Sequence, residues 1–148
     1  QVLNDDSAAW DVKIVASDIS EKALRSARAA LYSDYSLRSV PPGIKQGFFV
    51  PEGSSHRIVD HVRNLVDLQY LNLNDTRRVQ LMKGFDVIFC RNVLIYFDDE
   101  AKRRFVAQLY DCLNHGGYLF IGHSESLHNI SLAFKLVHFP GALGYKKE

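Results

Sequence analysis

Cysteine is scarce in this chain. Cys90 and Cys112 are the only two among 148 residues, and their spacing is not the C-x-x-C type of a structural zinc site. A disulfide framework and a cysteine-held metal are therefore not expected, and a reduced, cytoplasmic setting is the default. Long hydrophobic runs are lacking too. No stretch approaches the ~20 apolar residues that span a bilayer, and the N-terminal residues do not read as a signal peptide, so no direct membrane insertion is expected. Charge of one sign is also missing: 18 Lys and Arg stand against 17 Asp and Glu, which leaves no global field to draw in nucleic acid. No internal repeat or low-complexity tract occurs. What is present is a hydrophobic content of 47%, enough for the core of one α/β domain.

The chain is organised around GFDVIFCRNVLIYF, Gly84 to Phe97. Val87 to Cys90 form an apolar run too short for a helix and suited to a strand buried on both faces, as in a parallel sheet. The run breaks on Arg91 and Asn92. A polar pair at the carboxyl end of such a strand lies where open α/β sheets bind ligands. Asp98 and Asp99 then start a helix in which Ala101, Phe105, Leu109, Cys112 and Leu113 recur at helical spacing, up to an Asn114-His115-Gly116-Gly117 stop. Tyr118 to Ile121 read as the next strand, completing a βαβ unit.

Upstream, residues 1 to 9 look like a loop or a frayed helix tail, and Val12 to Ile19 read as a strand. Asp18, at its carboxyl end, either caps the next helix or accepts hydrogen bonds from ribose hydroxyls, since a carboxylate can take two O–H donors at once. Ser20 caps a helix from about Glu21 to Leu31, with Ala23, Leu24, Ala27, Ala30 and Leu31 as its buried face. From Tyr32 to about Gly53, prolines and glycines punctuate an excursion from the main sheet. Phe48 to Val50 and Arg57 to Val62 could form a small antiparallel ribbon there, although Ile58, Val59 and Val62 also fit a helical face. Val66 to Leu73 return to the sheet. Asn72 beside Leu73 could meet a purine, the amide on an edge and the leucine on a face, or Asn72 could simply begin a loop. Residues 74 to 83 read as a short helix or loop. His123, Ser124 and Glu125 invite a hydrolase reading, but near-neighbours on one loop seldom have a nucleophile–base geometry. Phe134 to Phe139, a Pro140-Gly141 turn and Leu143 to Lys146 make a terminal antiparallel hairpin.

Taken in order, ASDIS with its Ala-rich helix, Asn72-Leu73, FDVIFCRNVLIYFD and GGYLFIGHSESL resemble the chemotaxis receptor methyltransferase family, CheR. The resemblance runs from about Asp11 to the C-terminus. It implies a class I, Rossmann-like methyltransferase sheet with a C-terminal antiparallel hairpin and a small β-subdomain inserted over 33–65. It also implies methyl transfer from S-adenosylmethionine to glutamates on the cytoplasmic helices of chemoreceptors, with S-adenosylhomocysteine as product and no metal. Carried over, Asp18 would hold the ribose, Asn72 and Leu73 the adenosine end, Arg91 and Asn92 would line the cofactor crevice, and Tyr96 would sit near the transferred methyl. Apart from the resemblance, Tyr96 could be a strand-end tyrosine packing its ring, and Arg91 could pair with Asp98 or Asp99. The alternative for the whole chain is a non-catalytic CheR-like module that binds the cofactor or a protein partner.

In that family a helical domain, a first strand and a glycine-containing loop precede the point where this sequence begins. The strand is central to the sheet, between those placed at Val12 and Val87. The expectation is therefore either a longer parent protein or a strand-exchanged oligomer that fills the gap.

Overall fold

The computed structural model describes residues 11–148, so the reading of residues 1 to 9 lies outside the described residues. Two compact units make up the chain, one ending at Asn72 and the other spanning Leu73–Glu148.

In the first unit the Val, Ile and Ala run forms β1 (Ile14–Asp18), shorter at both ends than expected. Ser20 caps α1 (Glu21–Ala29), its Oγ accepting from the Ala23 N–H at 3.2 Å. The helix stops before Leu31 because Ala30 takes a left-handed conformation, φ 52° and ψ 33°, with its N–H on the Ser26 and Ala27 carbonyls. Leu24 and Ala30 are buried, whereas Ala23 and Leu31 are exposed, so the inward face is narrower than the alanine spacing suggested.

The excursion is richer than a ribbon. It contains β2 (Leu31–Ser33), α2 (Pro42–Phe48), β3 (Phe49–Glu52), β4 (Ser55–Ile58) and α3 (Asp60–Arg63), with the strands in antiparallel order β2-β4-β3. The expected hairpin turn is there, with Gly53 at φ 59°. The expected second strand ends at Ile58, and Asp60 onward takes the helical alternative. Helix α2 was hidden by its own prolines: Pro42 occupies the first turn, where a missing N–H loses no hydrogen bond. The Arg57 guanidinium ties this sheet down, donating to the Ala29 carbonyl at 3.0 Å and forking onto Glu52. β5 (Val66–Tyr70) then runs parallel to β1, from Ile14 opposite Val66 to Asp18 opposite Tyr70.

The second unit opens with α4 (Thr76–Gln80), capped by Asp75. It continues through β6 (Phe85–Cys90), a single 3-10 turn at Leu94–Tyr96, α5 (Asp99–Cys112), β7 (Leu113–Ile121), β8 (Phe134–Phe139) and β9 (Ala142–Lys147). The sheet order is β6-β7-β9-β8, with β6 and β7 parallel and the terminal hairpin antiparallel, as expected. Asp98 caps α5, its Oδ1 accepting from the Ala101 N–H at 2.8 Å. Phe105, Val106, Leu109 and Leu113 pack with Cys90, Leu94, Leu119 and Leu127 to form the core.

Two expectations fail in this unit. The Asn-His-Gly-Gly run is not a helix stop: Leu113 is already extended and buried, and the run belongs to a bulged β7 whose register with β6 shifts between Phe85 and Val87. Gly117 allows this, since a Cβ there would lie 2.9 Å from the Asn114 carbonyl oxygen and 3.0 Å from that of Asp86. Nor is β6 buried on both faces. Val87 and Phe89 are 44% and 73% exposed, and the Phe89 ring stacks on Phe120 at 5.2 Å. Hydrophobic content reports that a strand can be covered, not which faces this unit covers. Among the described residues no helix is long and apolar enough to cross a membrane.

Candidate functional site

The predicted site residues fall at the carboxyl ends of parallel strands, some in each unit. In the first, Asp18 closes β1 and is exposed. Its Oδ1 accepts from the Ser20 N–H at 2.7 Å, so Asp18 braces the turn ahead of the helix while Ser20 acts as the cap. A carboxylate has about four acceptor positions, and one bond leaves capacity for hydroxyl donors. Beside it lies a shallow depression lined by Ala16, Ser17, Ala23, Ala27 and Leu68. Asn72 follows β5 and is half-buried.

In the second unit Leu73 is partly buried against the core. Arg91, Asn92 and Tyr96 lie together beyond β6. Arg91 is exposed and, among the described residues, forms no ion pair; Asp98 is engaged in capping and Asp99 with Lys102. Tyr96, in the 3-10 turn, is 81% exposed, so its ring is not packed away.

Asn92 has φ 59°, a left-handed conformation uncommon outside glycine but more accessible to asparagine than to other residues with a Cβ. It is held by Glu125, which the sequence presents only as part of a hydrolase trio. Its Oε2 accepts from the Asn92 N–H at 2.9 Å and the Gly122 N–H at 2.6 Å, and its Oε1 from the Leu94 N–H at 2.8 Å. Partial burial alone would raise this carboxyl, but the backbone donors of Gly122, Asn92, Leu94 and Ile95 outweigh it and hold Glu125 below the usual glutamate range. Among the described residues Glu125 forms no hydrogen bond or ion pair with His123, so the trio lacks the contact by which a carboxylate orients a base. Only the bond to Gly122 is local in sequence. The partners 33 and 31 residues away carry no signal that spacing could reveal.

Gly122 is required for the same contact: a Cβ there would lie 2.6 Å from both Asn92 Oδ1 and Glu125 Oε2. Cys90, at the end of β6, is buried. Burial, with the Glu125 charge as a lesser cause, pushes its thiol up to about 12.

With this geometry described, comparison with known proteins decides the family. The model of the "CheR methyltransferase, SAM binding domain" matches residues 2–142. The chain belongs to the CheR methyltransferase family. The cofactor of this CheR domain is S-adenosylmethionine. "Chemotaxis protein methyltransferase 2" of Vibrio cholerae is 40% identical over 138 residues, 93% of this chain and 48% of that protein. "Chemotaxis protein methyltransferase" of Vibrio parahaemolyticus is 40% identical over 137 residues, 91% of this chain and 49% of that protein. This CheR chain thus spans about half the length of the curated relatives it matches. Within the first unit, the exposed Asp18 carboxylate, with one acceptor position used by Ser20, keeps acceptor capacity of the kind a ribose diol requires.

Proposed function

We propose that this chain is the cofactor-binding part of an enzyme that methylates glutamate side chains on the cytoplasmic helices of chemoreceptors, giving methyl esters. The observation that carries the reading is the Arg91-Asn92 turn. An asparagine held left-handed at the end of a parallel strand, with both residues of the pair exposed, presents polar groups where open α/β sheets bind ligands. Asp18 would bind the ribose hydroxyls, Asn72 and Leu73 the adenosine end, and Arg91 and Asn92 would line the crevice. When bound, S-adenosylmethionine supplies an electrophilic methyl group.

This chain's residues need not move a proton. A glutamate with an ordinary pKa of about 4.3 is ionised at neutral pH, so no general base is required. What the protein must supply is orientation and exclusion of water, and Tyr96 and Arg91 are the groups assigned to that task.

The test is calorimetric titration with S-adenosylhomocysteine, on this chain and on the chain extended upstream to the length of its relatives. Transfer of labelled methyl to receptor helices is then followed as base-labile ester. Binding with transfer is the expected result. Binding without transfer favours the non-catalytic module, and binding by neither version overturns the cofactor assignment.

A further inference from the structure

We propose that Glu125 is a positioning residue for the cofactor, acting through the Arg91-Asn92 turn; this rests on the reading that the turn lines the cofactor crevice. The carboxylate accepts from the N–H groups of Asn92 and Leu94, just after the end of β6, and from that of Gly122, just after the end of β7. One charged group thus links the ends of two adjacent parallel strands, where backbone pairing between them has stopped: the β6–β7 ladder ends with Cys90 opposite Ile121. The bond to the Asn92 N–H helps hold that residue in the left-handed region. The same turn leaves the Arg91 and Asn92 side chains exposed. Gly122 completes the device, because any side chain at that position would press on Asn92 Oδ1 and Glu125 Oε2 together.

The device differs from ordinary core packing in a testable way. Core residues such as Val106 and Leu119, both 0% exposed, keep the sheet folded. Glu125 instead bonds the backbone of the exposed Asn92 as well as that of the core residue Leu94, so its removal should displace the turn in a protein that remains folded.

The experiment uses the chain extended upstream, with wild type, Glu125→Gln, Gly122→Ala, the double variant, and His123→Ala as a same-loop control. Two readouts are taken: the affinity for S-adenosylhomocysteine, and the backbone NMR signals of Asn92, Leu94 and Gly122. In wild type these amide protons should lie downfield, with an Asn92 coupling constant that reports positive φ. Glu125→Gln should move all three upfield, shift the Asn92 coupling, and weaken binding by about tenfold or more while the rest of the spectrum stays in place. Gly122→Ala should do the same, and the double variant should be no worse than the poorer single one, because both changes disable one device. His123→Ala should bind like wild type.

If Glu125→Gln is folded and binds as tightly as wild type, or the double variant is fully additive, the inference is overturned. If Glu125→Gln does not fold, Gly122→Ala alone decides, and wild-type affinity in that variant overturns the inference. A wild-type protein that does not bind sinks the proposed function and the ligand half of this inference with it; the NMR signals then still decide whether Glu125 sets the turn.

Discussion

In the small antiparallel sheet of the first unit, Glu52 and Arg57 meet side chain to side chain, while Lys45 and Asp34 do the same nearby, all partly open to water. In the second unit Glu125, half-buried, forms no ion pair among the described residues. Its oxygens are filled by backbone N–H groups from two strand ends. The Arg57–Glu52 and Lys45–Asp34 pairs hold Glu52 and Asp34 below the usual carboxylate range by hydrogen bond and charge, but water and salt compete for such pairs. The Glu125 contact supplies acceptors to three backbone N–H groups, of which those of Leu94 and Gly122 are partly buried, where an unfilled N–H is costly. The difference teaches that ion pairs here trim a surface, whereas one carboxylate without a salt bridge determines a loop.

Four perturbations test that contrast. The largest effect should come from a site that uses no charge: Leu119→Ala, at a 0% exposed position in β7, should cost about 2–5 kcal/mol in denaturant unfolding. Glu125→Gln should cost about 2–3 kcal/mol, because the amide leaves at least one backbone donor facing an N–H group. Its effect should persist in 1 M salt, and a loss that vanishes with salt would put Glu125 among the surface pairs.

Acid should act in the same direction more gradually. Glu125 is depressed in the folded state, so its contribution is complete above the ordinary glutamate pKa of about 4.3 and is lost as pH falls through the lower folded value. Amide hydrogen exchange at Asn92 and Leu94 should therefore accelerate below about pH 4 in wild type, relative to core amides, and show no such step in Glu125→Gln. The smallest effect belongs to Glu52→Gln: a slight fall in melting temperature at low salt that disappears at high salt. A salt-independent fall would mean that the fork between Glu52 and Arg57 matters structurally.

Local sequence pattern determined much of this protein. The Val66 to Tyr70 alternation, the Asp98 cap with its Phe105 and Leu109 spacing, and the terminal hairpin are written within a few residues of where they act, because hydrogen-bond caps and side-chain periodicity are short-range effects. Asp18, Arg91 and Asn92 were legible as strand-end polar residues for the same reason, whereas Tyr96, in the 3-10 turn, was singled out only by the family resemblance. Tertiary structure alone decided the rest. It drew Asn114 to Gly117 into a bulged strand rather than a helix cap, because Leu113 gains burial by pairing with Phe85. It also left one face of β6 exposed and turned Glu125 from a loop residue into the support of a turn 33 residues away, through contacts that no local spacing encodes.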